Sequence, residues 1–561
     1  MSTRVCLLGA LSVAALTLGC SSVSEGARAG LGGSGGTNSS SSGGASSGSG
    51  PQLALCGASK LSPPMLRRLT AREMVRTLQD VFPEVSSQWT SELSPDSTPE
   101  RGFDNDARTL QVGKQTALEL FDTATEIGSA VSGALTTVLP CSATQPDRSC
   151  AASFVDKYGK RLFRRPLKAD ERERYLSFFD LALGKTDFTT AIGWLTRALI
   201  QSPATVYRSE IGAVNGKSYT LNPYEVATEL SYTFAGTTPT DDALNAVAIA
   251  APDARVTNAH ALLQASRSEV LQRFFADWLG YGAVLGMTKT HVPTFTDLGN
   301  GRGLRDDMVQ ETRNFLEQVV VTQKGGLREL LTAPTTNPSS ALATFYGSNP
   351  GATAFPSPAA DYASVTRPMG AGIGLLAQGS VLAAAARTDG SSPTKRGLFV
   401  FTRFLCRQKR KPPDVVPPLA PTTDKVVTTR DRYEVGHATG ACKSCHKDFD
   451  PIGFGFEQFD EVGRYRATDN GAPINTVSRV PNPDGTSLFS FTSLDDLARG
   501  LAEEDAASVC ASGFLTQYAF GIPDECLGET RRAEFLAGNL GFLEYFTSLA
   551  AEPSFERREL P

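Results

Sequence analysis

The stretch from Cys442 to Arg466 reads CKSCHKDFDPIGFGFEQFDEVGRYR, and its first five residues, Cys442-Lys443-Ser444-Cys445-His446, decide what the surrounding domain has to be. Two thiols three positions apart on a helical turn share a face, and the next residue supplies an imidazole. C-x-x-C-H is the attachment pattern of a c-type haem: the thiols form thioethers with the two vinyl groups and the imidazole takes the iron. With ten Cys and four His in 561 residues, chance supplies about 0.001 occurrences of this spacing. The expected cofactor is haem c, held by Cys442, Cys445 and His446, with His446 on the iron. Two rival uses are less well served. A thioredoxin-like disulfide needs a βαβ setting, whereas this region reads as helical and Pro-rich. A zinc site needs a fourth ligand, and neighbouring ligands at 445 and 446 strain a tetrahedron.

The far side of the iron is less determined. All six Met precede the motif, the last being Met369, so a distal Met after the motif is excluded. His437 lies nine residues before His446, and on one continuous helix the two would point to opposite faces. Gly440 between them can break that helix, which keeps His437 a candidate beside Met369, His260, His291 or no sixth ligand. A packing or supporting role is the plainer reading of His437. An open iron admits small ligands or peroxide, and a closed one favours electron transfer. Phe449, Ile452, Phe454, Phe456 and Phe459 offer an apolar wall for a pocket, although core packing explains any one of them as well. Arg464 and Arg466 are candidates to pair with the propionates.

At the other end of the chain, Arg4 precedes an apolar run from Val5 to Leu18, which has the length of a signal peptide and is too short to span a membrane. The run closes on Leu18-Gly19-Cys20, which resembles a bacterial lipobox except that Thr17 stands where Leu is usual. Cleavage there puts lipid on Cys20. Residues 21–50 contain 11 Ser and 10 Gly; such a chain cannot bury enough apolar surface to fold, and behaves as a flexible tether with a reach of about 30 Å. The expected location is the periplasm or cell surface, as a lipoprotein anchored to a membrane through Cys20.

An oxidising compartment permits disulfides. Setting aside Cys6, Cys20 and the motif pair leaves six cysteines and fifteen possible pairings. Closeness in sequence favours Cys141–Cys150 and Cys510–Cys526, leaving Cys56–Cys406; free buried thiols are the alternative. Composition supports a soluble globular body, with 40% hydrophobic and 20% charged residues and a mean hydropathy of −0.16. A net charge of −5 and a pI near 5.7 argue against nucleic acid as a partner bound through bulk positive charge.

Apolar periodicity predicts helices over 71–82, where Thr70 and Glu73 make a capping box, and over 109–138, 150–163, 168–183 and 187–201. More follow over 222–235, 257–266, 268–280, 303–321, 370–385, 393–406, 492–502, 504–520 and 528–549. Lys411 to Pro421 holds five Pro and reads as an extended strap. Turn residues within 464–490 predict a small β-hairpin region.

The stretch 442–466, with Thr429-Arg430-Asp431-Arg432 and His437, resembles the planctomycete cytochrome c-like domain, found inside larger exported proteins of largely unknown function. LRRLTAREMVRTLQDVF (66–82) with GFDNDA (102–107), and FVDKYGKRLFRRPL (154–167), resemble the first two domains of such proteins. LNPYEVATELSYTFAGTTPTDDAL (221–244), with RFFADWLGY (273–281) and LRDDMVQETRNFLEQVV (304–320), resembles their large central domain, and residues 374–406 lead into the haem domain. Residues 494–521 resemble the closing domain. One departure is Phe449, where the family often has Met. The resemblance implies export and haem binding and names no substrate.

The expected fold class is mainly α, a multidomain helical body with an embedded cytochrome c-like haem domain and a small β-hairpin region. Its divisions are a signal peptide over 1–19, the lipidated Cys20 with its tether over 20–55, helical domains over 56–140, 141–212 and 220–350, the haem domain over 365–468 and a closing helical domain over 486–550. The expected function is that of an exported, membrane-tethered c-type haem protein, redox-active through electron transfer or haem-linked oxidoreduction, with an unknown redox or protein partner. About 300 residues of helical body precede the haem segment, more than an electron carrier requires. The alternative is therefore an exported binding or scaffold protein in which the haem or the Cys pair is structural. Outside the motif, Arg164-Arg165 reads as a surface basic pair, Asp104 as a turn or cap residue with the capacity to bind a cation, and Asp277 and Glu311 as ordinary helix residues.

Overall fold

Thr70 starts the first helix as its sequence requires. Its hydroxyl accepts the Glu73 amide at 3.1 Å while the Glu73 carboxylate accepts the Thr70 amide at 2.8 Å, and Ala71–Val81 follows. The computed structural model describes residues 60–560 except 100–101, 246–250, 299–300, 350–351, 412–418, 420–421, 424, 426 and 524–525. The expected leader, Cys20, the tether and Cys56 lie outside the described residues, as does most of the Pro-rich strap. The fold is mainly helical, 55% helix and 8% strand, with small two- and three-stranded sheets. No helix among the described residues is long and apolar enough to cross a membrane.

Two apolar cores organise the body. Residues 69–206 with Tyr232 build the first, in which the helix Lys114–Gly133 packs along Phe188–Ile200. Phe103 and residues 221–555 build the second, around Trp278, whose ring meets Phe274, Phe404, Phe514 and Phe542 at centroid distances of 5.5–6.2 Å.

A seam of short strands joins the early, middle and late parts of the chain, and periodicity gave no warning of it. Met65–Arg68 pairs antiparallel with Tyr207–Glu210, placing Arg67 opposite Arg208. Ser218–Thr220 is sandwiched between Ala213–Asn215 and Arg557–Glu559, and Ser62 bridges Arg558. Beneath these strands lies a buried ion network. Glu210 meets Arg558 at 3.0 Å, Arg208 at 3.1 Å and Arg67 at 3.8 Å; Glu229 meets Arg208 at 3.8 Å and Arg558 at 3.9 Å. Burial would raise both carboxyls. The three guanidiniums overcome it at Glu210 and hold that carboxyl low, while the neighbouring Glu210 charge adds to burial at Glu229 and leaves it raised.

Three expectations about local structure change. The helix expected over 370–385 is confined to Gly379–Ala384 after a short turn at Leu375–Ala377, because Gly370, Gly372 and Gly374 adopt φ of +85°, +74° and +59°. A right-handed helix cannot pass through such residues. The helix expected over 528–549 breaks into Glu529–Leu536 and Phe542–Ser548, with Gly538 at φ +72° between them. The turn-rich region carries two small ladders, Thr468–Asp469 with Ala472–Pro473 and Ser478–Pro481 with Ser487–Phe491.

Cys141 and Cys150 are bonded. The other two expected pairings are corrected: Cys406 bonds Cys510, so neither Cys56–Cys406 nor Cys510–Cys526 forms. The helix Asp505–Phe520 runs past the end of Pro393–Arg403, where Arg403 lies over Phe514, and this brings two cysteines 104 positions apart to a Cα separation of 5.4 Å. Cys526 is also disulfide-bonded.

Candidate functional site

The motif sits on a short helix, Gly440–His446. The preceding helix, Thr429–Gly436, stops at His437, and Gly440 at φ +65° separates the two. Cys442 and Cys445 are both unbonded and half-buried, one turn apart, and Cys445 leans on the larger apolar core. The site is backed by a close crossing of two other segments, Pro393–Arg403 and Asp450–Gly453. Glycine on each side permits it. A Cβ on Gly397 would stand 1.9 Å from the Phe449 carbonyl oxygen, and one on Gly453 would stand 1.8 Å from that of Pro393.

That crossing sets Thr394 against Asp450, and Asp450 against the motif. The Thr394 hydroxyl donates to Asp450 Oδ1 at 2.6 Å. His446 Nδ1 lies 3.1 Å from both oxygens of the same carboxylate, and His437 Nδ1 lies 2.5 Å from Oδ2. Asp450 is buried. Burial alone would raise its carboxyl, but the hydrogen bonds from His437, His446 and Thr394 outweigh that and hold it below the ordinary range. An ionised carboxylate only accepts, so both imidazoles donate from Nδ1; in the neutral tautomer with that proton, Nε2 is the acceptor. The rings stack, centroids 3.5 Å apart at 29°, with Phe449 edge-on to His446 at 5.0 Å and Tyr433 edge-on to His437 at 5.3 Å.

This geometry matches what haem c attachment asks of a protein. Two reachable thiols share a turn, and the next residue is an imidazole whose Nδ1 is held by a carboxylate while Nε2 stays available, the arrangement by which proteins orient metal-ligating histidines. A groove of about 250 Å³ lined by Leu398, Phe399 and Thr402 runs along Pro393–Arg403.

Other expected participants are placed differently. His437 stacks face to face on His446 on the same side of the site. Its Nδ1 is held by Asp450. Met369 is 94% exposed, His260 pairs with Thr547, and His291 is exposed. Arg464 pairs with Asp460, and Arg466 with Glu457 and Asp469. Phe456, Ile452 and Phe459 are core, and Phe454 lies under the Arg430 guanidinium at 4.6 Å; of the expected wall, Phe449 touches the imidazole. The Arg164-Arg165 pair is corrected as well. Arg164 is buried, with φ +58°, and donates to the carbonyls of Ala204, Thr205 and Tyr207, whereas Arg165 pairs with Glu171. Glu311 is fully buried, accepting from Thr336 and Tyr346.

The residues that motif reading passed over are Asp450, Thr394, Gly397 and Gly453. Asp450 carried one legible signal, its position four residues after His446. Gly397→Ala should drive the Phe449 backbone away, separate Thr394 from Asp450 and destabilise the protein by about 2–3 kcal/mol, as overpacking does. A fall in the thermal unfolding midpoint, set beside an unchanged surface control such as Gly216→Asn, checks it. Gly216 has open space around the missing Cβ and a left-handed φ that Asn tolerates.

Four family models match the chain in sequence order. PSD3, protein of unknown function (DUF1587), covers residues 67–133, and PSD5, protein of unknown function (DUF1595), covers 150–210. PSD4, protein of unknown function (DUF1592), covers 221–348, and PSCyt3, protein of unknown function (DUF1588), covers 373–469. The chain carries these four planctomycete-type domains. No curated protein and no solved structure matches it. The PSCyt3 domain contains the whole site, since Thr394, His437, Cys442, Cys445, His446, Phe449 and Asp450 all fall within it.

A second polar cleft, of about 780 Å³, opens between Ala71–Val81 and Glu269–Leu279, where the PSD3 and PSD4 domains meet. On its floor Arg72 pairs with Asp104 at 2.8 Å and reaches Asp277 at 3.9 Å. Burial pushes Asp277 up to about 6, Arg72 pulls it down and Asp104 adds to the rise; its Oδ2 is buried without a hydrogen-bond partner. The folded protein thus holds a proton there that the unfolded chain releases near pH 4. The stability this confers is complete below pH 4 and is lost as pH rises through 6. Asp277→Asn should therefore stabilise the protein at pH 8 by about 3 kcal/mol and leave it unchanged at pH 4, which unfolding curves at the two pH values test.

Proposed function

We propose that the protein is an exported c-type haem protein in which Cys442 and Cys445 carry the thioethers and His446 Nε2 takes the iron. The observation that carries this reading is a contrast among the cysteines. Cys141, Cys150, Cys406, Cys510 and Cys526 are all disulfide-bonded, while the two thiols of the motif stay apart beside an imidazole oriented by a buried carboxylate. The disulfides suggest an extracytoplasmic protein, the setting in which haem c is attached. The PSCyt3 domain suggests a cytochrome-like segment. Covalently bound haem supplies one-electron redox chemistry at iron. The chain's own part is to fix the ring by two bonds, present Nε2, and keep His446 from turning by holding Nδ1. Tethering to a membrane through a lipidated Cys20 belongs to the same proposal, as does a redox partner. PSD3, PSD5 and PSD4 would then position the haem domain toward that partner or a substrate.

A second reading rests on one observation. Ligand atoms of His437, His446 and Asp450 lie within 4.8 Å of one another, the donor set of a two-His, one-carboxylate metal site. On that reading the protein is an exported binding or scaffold protein with a structural metal. One experiment separates the two. The full chain is exported in a host that matures c-type cytochromes, and its intact mass, bound metal and pyridine haemochrome spectrum are measured. One haem of added mass with a two-thioether spectrum supports the proposal; bare polypeptide mass with a stoichiometric non-haem metal overturns it in favour of the second reading.

A further inference from the structure

We infer that Asp450 is a positioning residue that sets the reduction potential of the iron through His446. The inference rests on the haem reading above. A haem-ligating histidine commonly gives its Nδ1 proton to a weak acceptor. Here Nδ1 faces a full carboxylate, 3.1 Å from each oxygen, in a buried setting where water does not dilute the interaction. A charge-assisted hydrogen bond draws the Nδ1 proton outward, puts electron density into the ring and makes Nε2 a stronger donor. Stronger donation favours ferric over ferrous iron, so the potential falls.

The same carboxylate has two other claimants, and they give the inference its test. Thr394 donates to Oδ1 at 2.6 Å, with its oxygen also 3.2 Å from His446 Nδ1, and His437 donates to Oδ2 at 2.5 Å. Each competes with His446 for the same oxygens, and each tempers the pull on its Nδ1. Thr394 is fixed by the glycine crossing at Gly397 and Gly453, and His437 by ending its helix against Tyr433. The potential is therefore governed by the division of one carboxylate among three donors. This also gives His437 a role that does not involve the iron.

Three variants of the full exported chain decide the matter: Asp450→Asn, Thr394→Val and His437→Phe. Each is measured by spectroelectrochemical titration, and by the iron–histidine stretching band of the ferrous protein. Asp450→Asn keeps the shape and removes the charge. It should move the reduction equilibrium toward ferrous iron at least tenfold, 59 mV upward for a one-electron couple, and lower the stretching frequency. Thr394→Val and His437→Phe should move both readouts the opposite way by a smaller amount, because each frees an oxygen for His446. General loosening of the site would shift all three in one direction. The inference is overturned if haem is attached and Asp450→Asn leaves the potential where it was, or if the other two variants follow it upward. Should Asp450→Asn fail to fold, Thr394→Val and His437→Phe still decide: a downward shift supports the inference and no shift overturns it. Wild-type chain without covalent haem overturns the haem reading itself, and this inference falls with it.

Discussion

Exported in a host that matures c-type cytochromes, the double variant Cys442→Ser, Cys445→Ser is expected to lose covalent haem completely. Its intact mass should be that of the bare polypeptide. Its pyridine haemochrome spectrum should lose the thioether-shifted absorption, because both attachment bonds require sulfur. Single variants should each retain one thioether, with a spectrum between the two. Loss of folding is not expected to confuse the result. Both thiols are half-buried and unbonded, and the disulfides Cys141–Cys150 and Cys406–Cys510 lie elsewhere. Unchanged far-ultraviolet circular dichroism beside the mass change would show that chemistry and not structure was removed. Covalent haem remaining on the double variant would refute the assignment of the motif.

The largest stability effect is expected from Arg208→Ala. Arg208 is fully buried, pairs with Glu210 and Glu229, and lies over the ring of Tyr232 at 5.3 Å. Removing one partner of a buried pair leaves uncompensated charge, and the cost is about 3–5 kcal/mol. Glu210 would keep Arg67 and Arg558, but Glu229 would keep Arg558 alone at 3.9 Å. The damage should therefore concentrate on Glu229. Adding Glu229→Gln to Arg208→Ala should restore part of the loss, so the double variant is less destabilised than the two single effects summed. Arg208→Lys keeps the charge without the planar fork and should fall between wild type and Arg208→Ala. Unfolding in urea of the five proteins, Glu229→Gln alone among them, checks the series. Strict additivity would mean that the pair does not interact.

How much of this was legible beforehand depended on whether the information was local. The C-x-x-C-H motif was legible because it lies in five consecutive residues. The helix Ala71–Val81 was legible for the same reason, through Thr70 and Glu73. What escaped was long-range. Asp450 matters because Gly397 and Gly453 let two segments cross closely enough to deliver Thr394 to it, and a lone Gly in a sequence does not say which backbone it will meet. Cys406 and Cys510 are brought together by the packing of two helices, whereas nearness along the chain pointed to other pairs. The strands at 65–68, 207–210, 218–220 and 557–559 are too short to show alternation, and their partners lie up to several hundred positions away. Gly370, Gly372 and Gly374 were visible as glycines, but the apolar residues around them suggested a helix that three left-handed backbone positions forbid. Arg464 and Arg466 looked available for propionates because a sequence does not show that Asp460, Glu457 and Asp469 already hold them.

The strand seam has a consequence for how the molecule comes into being. Ser62 cannot complete its hydrogen bond to Ser554 or its bridge to Arg558 until those residues exist, almost five hundred residues later. A nascent chain emerging N-terminus first therefore lacks the partners of Ser62, and the three guanidiniums around Glu210 cannot assemble until Arg558 has been made. Contacts of such separation form slowly, because the intervening chain must be ordered before they are rewarded. For the exported protein proposed above, a chain kept open in this way stays threadable through a translocation channel until Arg558 follows, and this closure happens on the far side, where the cysteines can be oxidised.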